Sequence, residues 1–125
     1  MPRACKDTTD KVVDFGVAED RSSDLDGYTV NFVTIKQTHD LAPMLAGLPG
    51  GSCSCPHWGY VFKGRVVVRY DDREEVFEAG DAFYMPPGHV PAADAGTELL
   101  QISPAEELAV VEAAIAAHMQ RGANR

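Results

Sequence analysis

Gly80-Asp81-Ala82-Phe83-Tyr84-Met85-Pro86-Pro87-Gly88, followed by His89, is the stretch that decides the architecture. Gly-Asp is turn chemistry, Ala82–Met85 reads as a strand, and Pro-Pro-Gly ends it because proline cannot donate to a β-ladder. Upstream, Cys53-Ser54-Cys55-Pro56-His57-Trp58-Gly59-Tyr60-Val61-Phe62-Lys63-Gly64 carries thiol and imidazole groups into a second β-rich run. Two ligand clusters carried on antiparallel strands are how a small barrel builds a site in its mouth.

Working outward, Tyr28–Lys36 alternates and is rich in β-branched and aromatic residues, the pattern of a strand. Trp58–Lys63 and Arg65–Tyr70 are strands broken at Gly64; Asp71-Asp72 turns the chain into Glu74–Glu78, and Glu98–Ile102 is the last strand. His39–Ser52 is a connection with one helical turn at Leu41–Leu45. Short strands at regular spacing with turns between them predict an antiparallel sandwich or barrel. At the C-terminus the period changes. Ser103 with Glu106 fits a capping box, Pro104 suits a first helical turn, and Leu108, Val111, Ile115 and Met119 recur at helical spacing. Ala105–Gln120 is therefore an amphipathic helix laid on the barrel. The expected organisation is one domain: a polar arm over 1–27, irregular or extended, a barrel over 28–103, and a helix and tail over 104–125.

The 125-residue chain is long enough for a single buried core. Its formal net charge of −8 argues against nucleic acid, which needs clustered Lys and Arg, and against an anionic membrane surface. No window approaches the roughly 18 apolar residues of a membrane span, and Met1–Asp14 lacks the apolar core of a secretory signal, so a cytoplasmic location is expected. Three cysteines do not close a disulfide framework, and a bridge between Cys53 and Cys55 would be strained. Free thiols or metal ligands follow.

The strand order, together with G-Y-V-F-K-G and G-D-A-F-Y-M-P-P-G followed by a histidine, resembles the cupin superfamily over roughly residues 51–103. The resemblance implies an all-β, double-stranded β-helix (jelly-roll) barrel. Gly80, Pro86 and Gly88 stand at the family's spacing in the second motif, and Gly64 matches the glycine that ends the metal-binding strand. Cupin metal sites usually use two histidines one residue apart, a glutamate, and a final histidine three residues past the Pro-x-Gly glycine. Counted from Gly64, the glutamate position is His57, the two histidine positions are Gly51 and Cys53, and the final histidine position is Pro91. His89 comes two residues earlier, an offset that preserves strand parity. The three-histidine, one-glutamate iron site is absent as written.

The candidate metal ligands are accordingly Cys53, Cys55, His57 and His89. Along an extended strand the outer two of Cys53, Cys55 and His57 would lie roughly 13 Å apart, against the ~4 Å between ligands on one ion. A bend at Pro56 brings two of them together, and His57 with one cysteine is the favoured pair. Thiolate plus imidazole suits a divalent metal such as Zn²⁺, favoured over Fe or Cu, better than Mg²⁺ or Ca²⁺. His57 and His89 are also the candidate acid–base groups of a non-redox enzyme acting on a small carbonyl or carboxylate compound. Two readings compete. One is a metal-free module holding an apolar or aromatic metabolite, with room supplied by Gly59; the other is a thiol sensor built on Cys53 and Cys55. Trp58, Tyr60 and Phe62 share one face of their strand, which predicts either packing under the helix or arm, or a homodimer through that sheet. Lys63, Arg65 and Arg69 read as a solvated strand face opposite Asp71, Asp72, Glu74 and Glu75.

Overall fold

The computed structural model describes residues 3–123, so the last two residues of the expected C-terminal tail lie outside it. A 3-10 turn, Lys6–Thr8, precedes β1 (Lys11–Asp14), β2 (Ala18–Leu25) and β3 (Tyr28–Ile35). Next come β4 (His39–Asp40), the single turn α1 (Ala42–Leu45), a 3-10 turn (Pro49–Gly51) and β5 (His57–Lys63). The chain then runs through β6 (Arg65–Arg69), β7 (Glu74–Glu78), β8 (Ala82–Met85), β9 (Val90–Ala93), β10 (Glu98–Pro104) and α2 (Ala105–Ala123). Two antiparallel sheets result, ordered β1-β2-β3-β10-β5-β8 and β4-β9-β6-β7, the jelly-roll arrangement that the strand pattern implies.

Alternation along β5 sets the inside. His57 and Val61 are buried while Trp58, Tyr60 and Phe62 are exposed. Val61 joins Val66, Val68, Phe83, Met85, Leu99 and Ile35 in the core between the sheets, and the rings of Phe77 and Phe83 stack at 5.1 Å. Gly59 leaves no room for a ligand, contrary to expectation. A side chain there would meet the Phe83 ring and the Leu100 carbonyl, so the glycine exists to let Phe83 cross the sheet. Gly64 turns the chain from one sheet to the other with φ +82, a conformation glycine adopts freely, against the side chain of Thr97. The buried Thr97 hydroxyl accepts from the Arg65 N–H (3.0 Å) and donates to the Arg65 carbonyl (3.2 Å), pinning that corner.

Residues 11–25 take the extended of the two forms expected, but as part of the sheet and not as a separate arm. They form β1 and β2, and β2 pairs with β3 along its whole length, from Ala18 opposite Ile35 to Leu25 opposite Tyr28. The sequence Ala-Glu-Asp-Arg-Ser-Ser-Asp-Leu shows no apolar alternation because polar bonds substitute for apolar contacts there. The Asn31 side-chain amide donates to both Asp20 carboxylate oxygens (3.0 and 3.1 Å), and the Thr29 hydroxyl donates to Asp24 (2.7 Å). The turn itself was written in the chain: Asp26 and Gly27 both have positive φ, the Asp-Gly signature of a two-residue hairpin. β9 was also unexpected, since Pro91 sits within it opposite Val68.

Helix α2 buries Leu108 and Val111 against Leu45, Leu48, Cys53 and Cys55, with Ala114 and Ile115 at the margin. Met119 is half exposed, so the apolar stripe stops one turn short of its sequence extent. Replacing Gly59 with Ala should destabilise the fold by about 1–3 kcal/mol through overpacking against Phe83 and the β10 backbone. Urea unfolding measures this; an unchanged midpoint would mean that the close approach is not as described.

Candidate metal centre

Strand β5 begins at His57, and the four residues before it bend at Cys55 instead of continuing as a strand. The bend is fixed from the far side of the sequence. The Cys53 N–H donates to the His89 carbonyl (3.0 Å) and the Gly88 N–H donates to the Cys53 carbonyl (2.8 Å), an isolated two-residue bridge. Pro86-Pro87-Gly88 makes this possible by ending β8 and, through Gly88 at φ +98, turning the chain back toward Cys53.

Cys53, His57 and His89 thereby meet. All three are buried, and each offers a donor atom within 4.8 Å of the others. The Cys53 Sγ lies 3.7 Å from His57 Nε2, close to the ~4 Å separation of ligands on a tetrahedral ion. The two imidazole rings are 4.7 Å apart and tilted by 57°. Each ring is also held by its other nitrogen. His89 Nδ1 bonds the Pro86 carbonyl at 2.8 Å; a carbonyl only accepts, so Nδ1 carries the proton and Nε2 keeps its lone pair. His57 Nδ1 pairs with the Ser103 hydroxyl at 2.7 Å. An outer partner on the second ring nitrogen is how metal-binding imidazoles are oriented.

The electrostatics suit the same role. Burial, with His89 alongside, depresses His57 from 6.5 to about 3, and burial lowers His89 as well. Both are neutral at pH 7, the form that binds a metal. Burial raises the Cys53 thiol, which must lose its proton to become a ligand.

The structure does not bring Cys55 into this group. The bend that joins Cys53 to His57 turns Cys55 the other way, fully buried among Leu45, Leu48, Leu108 and Val111, with its thiol donating to the Pro56 carbonyl at 3.5 Å. Burial pushes that thiol to about 12. Two buried thiols with raised pKa values are the reverse of the exposed thiolate a sensor needs.

Ser103 was missed as a site residue because its spacing to Glu106 reads as a capping box, whereas its hydroxyl bonds His57. The basic residues stand apart from the cluster and are paired: Arg65 with Asp94 (3.3 Å), Arg69 with Asp40 (2.8 Å) and Lys63 with Glu98 (3.1 Å). In the β6–β7 ladder Arg69 stands opposite Glu74, as expected of a solvated strand face, and Arg65 stands opposite Glu78. His39 bonds the Gln37 carbonyl near the surface, and His118 packs on Gly47; neither approaches the centre.

The sequence profile of the cupin domain family matches residues 52–92, the segment that carries Cys53, His57 and His89. Among solved structures, an RmlC-like cupin from Shewanella frigidimarina is 18% identical, covering 81% of this chain and 88% of its own, with a TM-score of 0.55. The polyketide cyclase RemF from Streptomyces resistomycificus is 15% identical, with coverage of 83% and 79% and a TM-score of 0.59. The iron(II) form of HppE is 9% identical, with coverage of 82% and 60% and a TM-score of 0.58. At these identities the likeness is one of fold. No curated protein sequence matches this chain.

The depressed His57 makes metal-free protein acid-sensitive. The unfolded chain takes up the proton near 6.5, whereas the folded site resists it down to about 3. The stability is therefore complete above pH 6.5 and is lost as pH falls toward 3, at up to about 1.4 kcal/mol per pH unit for that group. Urea midpoints measured across this window should fall with pH, and fall less steeply in His57→Gln, where His89 alone is still depressed. A wild-type midpoint that does not move between those limits would mean that His57 is not held neutral.

Proposed function

We propose that this chain is a metal-dependent cupin that binds a small molecule at an ion held by Cys53, His57 and His89. One observation carries the reading: three residues from two separate segments converge, buried, with two ring orientations already fixed. One thiolate and two imidazoles form a donor set for a borderline or soft ion, Zn²⁺ or copper, and not for Mg²⁺ or Ca²⁺. Three protein ligands leave a position at which a small molecule can bind. An ion such as Zn²⁺ in that position would polarise a carbonyl or carboxylate oxygen. The chain's own contribution is to hold Nε2 of His89 unprotonated, to orient His57 through Ser103, and to exclude water with Leu45, Leu48, Leu108 and Val111. The alternative of a metal-free module is less well supported, because Phe83 occupies the space that Gly59 was expected to leave. The free thiols fit a reducing, cytoplasmic setting.

Elemental analysis of protein purified without a metal-affinity tag should give about one ion per chain, as one three-ligand site implies, and none in His57→Ala. Equal metal in both proteins, or none in either, would remove the proposal. Loading at pH 7 should release about one proton, from Cys53 alone, because both imidazoles are already neutral. Calorimetry in buffers of different ionisation enthalpy reads that number.

We further propose that two copies pair through the outer face of the larger sheet. Trp58, Tyr60, Phe62 and Tyr84 stand exposed there, with Trp58 against Tyr84 (5.1 Å) and Tyr60 against Phe62 (5.4 Å). Such an apolar surface exceeds scattered single hydrophobes and suits a self-complementary two-fold interface. Sedimentation velocity should show a dimer for wild type and a monomer for Trp58→Glu/Tyr60→Glu. A wild-type monomer at every concentration would contradict it.

A further inference from the structure

Met85 stands directly opposite His57 in the β5–β8 ladder, and it is 3% exposed. Cross-strand partners project from the same face with Cβ atoms about 4.5–5.5 Å apart, so the Met85 side chain enters the barrel beside the imidazole. Its three rotatable bonds let the thioether span that distance. Pro86 follows at once, and its carbonyl is the group that orients His89. Met85 thus neighbours His57 across the ladder and leads directly into the turn that carries His89.

From this placement we propose that Met85 supplies a thioether as a fourth, weak ligand to the ion of Cys53, His57 and His89, and that the ion the site prefers is copper, entering as Cu⁺. The inference rests on the metal-centre reading above and refines its ion. Two physical arguments support it. The first is donor softness: a thiolate, two imidazoles and a thioether are the set that selects copper, whereas Zn²⁺ gains little from a thioether. The second is charge. Among the described residues no carboxylate joins the group, and its surroundings are apolar. A divalent ion on one thiolate leaves a net positive charge buried there; Cu⁺ on one thiolate leaves none. The weak thioether is then also the ligand that an entering small molecule displaces most readily.

The test is competition, under anaerobic conditions, between the protein and bathocuproine disulfonate for Cu⁺, with a parallel titration of Zn²⁺ against a chromophoric chelator. All proteins carry Cys5→Ser, because Cys5 is an exposed free thiol. Wild type should bind one equivalent of Cu⁺ and hold it against excess Zn²⁺. Met85→Leu, a volume-conserving change, should weaken Cu⁺ by at least about tenfold, the low end of what loss of a supporting group costs a metal site, and leave Zn²⁺ affinity unchanged. Equal Cu⁺ affinity in wild type and Met85→Leu, or displacement of Cu⁺ by Zn²⁺, would overturn the inference and leave the three-ligand centre standing. Retention of Cu⁺ by His57→Ala would instead overturn the centre itself. Copper-edge absorption on the wild type does not depend on the variant folding: two sulfur scatterers support Met85, and one excludes it.

Discussion

Two backbone hydrogen bonds between Cys53 and the Gly88–His89 pair carry the site. They join segments far apart in sequence, and only their closure sets the Cys53 thiol beside imidazoles from β5 and from the turn after β8. The Pro-Pro-Gly turn delivers His89 to that bridge, and the bend at Cys55 delivers Cys53 to His57. Helix α2 then closes over the bridge through Leu108 and Val111. Each of these elements has a local cause in the sequence, but the bridge gives them a common position.

The same burial sets the chemistry. Two neutral imidazoles and a protonated thiol packed under an apolar cover are stable as an uncharged group, and acid works against it by charging the rings. A cation offered to the group meets two neutral rings already oriented by Ser103 and the Pro86 carbonyl, and displaces the thiol proton. The site is thus prepared for a soft or borderline ion and unsuited to a hard one. Nothing in the outer charge distribution bears on it, since Lys63, Arg65 and Arg69 are occupied in surface pairs, which contribute little.

Much of the fold was legible in the sequence. Alternation in β5 placed His57 and Val61 inward and the aromatics outward, Gly80-Asp81 and Pro86-Pro87-Gly88 bounded β8, and the helical period marked α2. What stayed hidden was hidden for identifiable reasons. β2 is stabilised by Asp20–Asn31 and Asp24–Thr29 side-chain bonds, which leave no apolar period; only Asp26-Gly27 announced it. β9 carries a proline that argues against a strand. In the site, residue type named Cys53, Cys55, His57 and His89, and a bend at Pro56 was expected to join His57 to one cysteine; which one was not legible, and the bend at Cys55 brings Cys53 to His57 and turns Cys55 away. Ser103 looked like a helix cap, since a second role for a residue that already satisfies a local rule leaves no mark in the sequence.

The central claim is that one ion sits among Cys53, His57 and His89. Anomalous diffraction at the absorption edge of whatever metal the purified protein carries tests it most directly. The account predicts a single peak about 2.0–2.1 Å from a nitrogen of each histidine and about 2.3 Å from the Cys53 sulfur. A peak bound elsewhere, or a fully ordered cluster in which these three side chains contact only one another in protein shown to contain the metal, would contradict it.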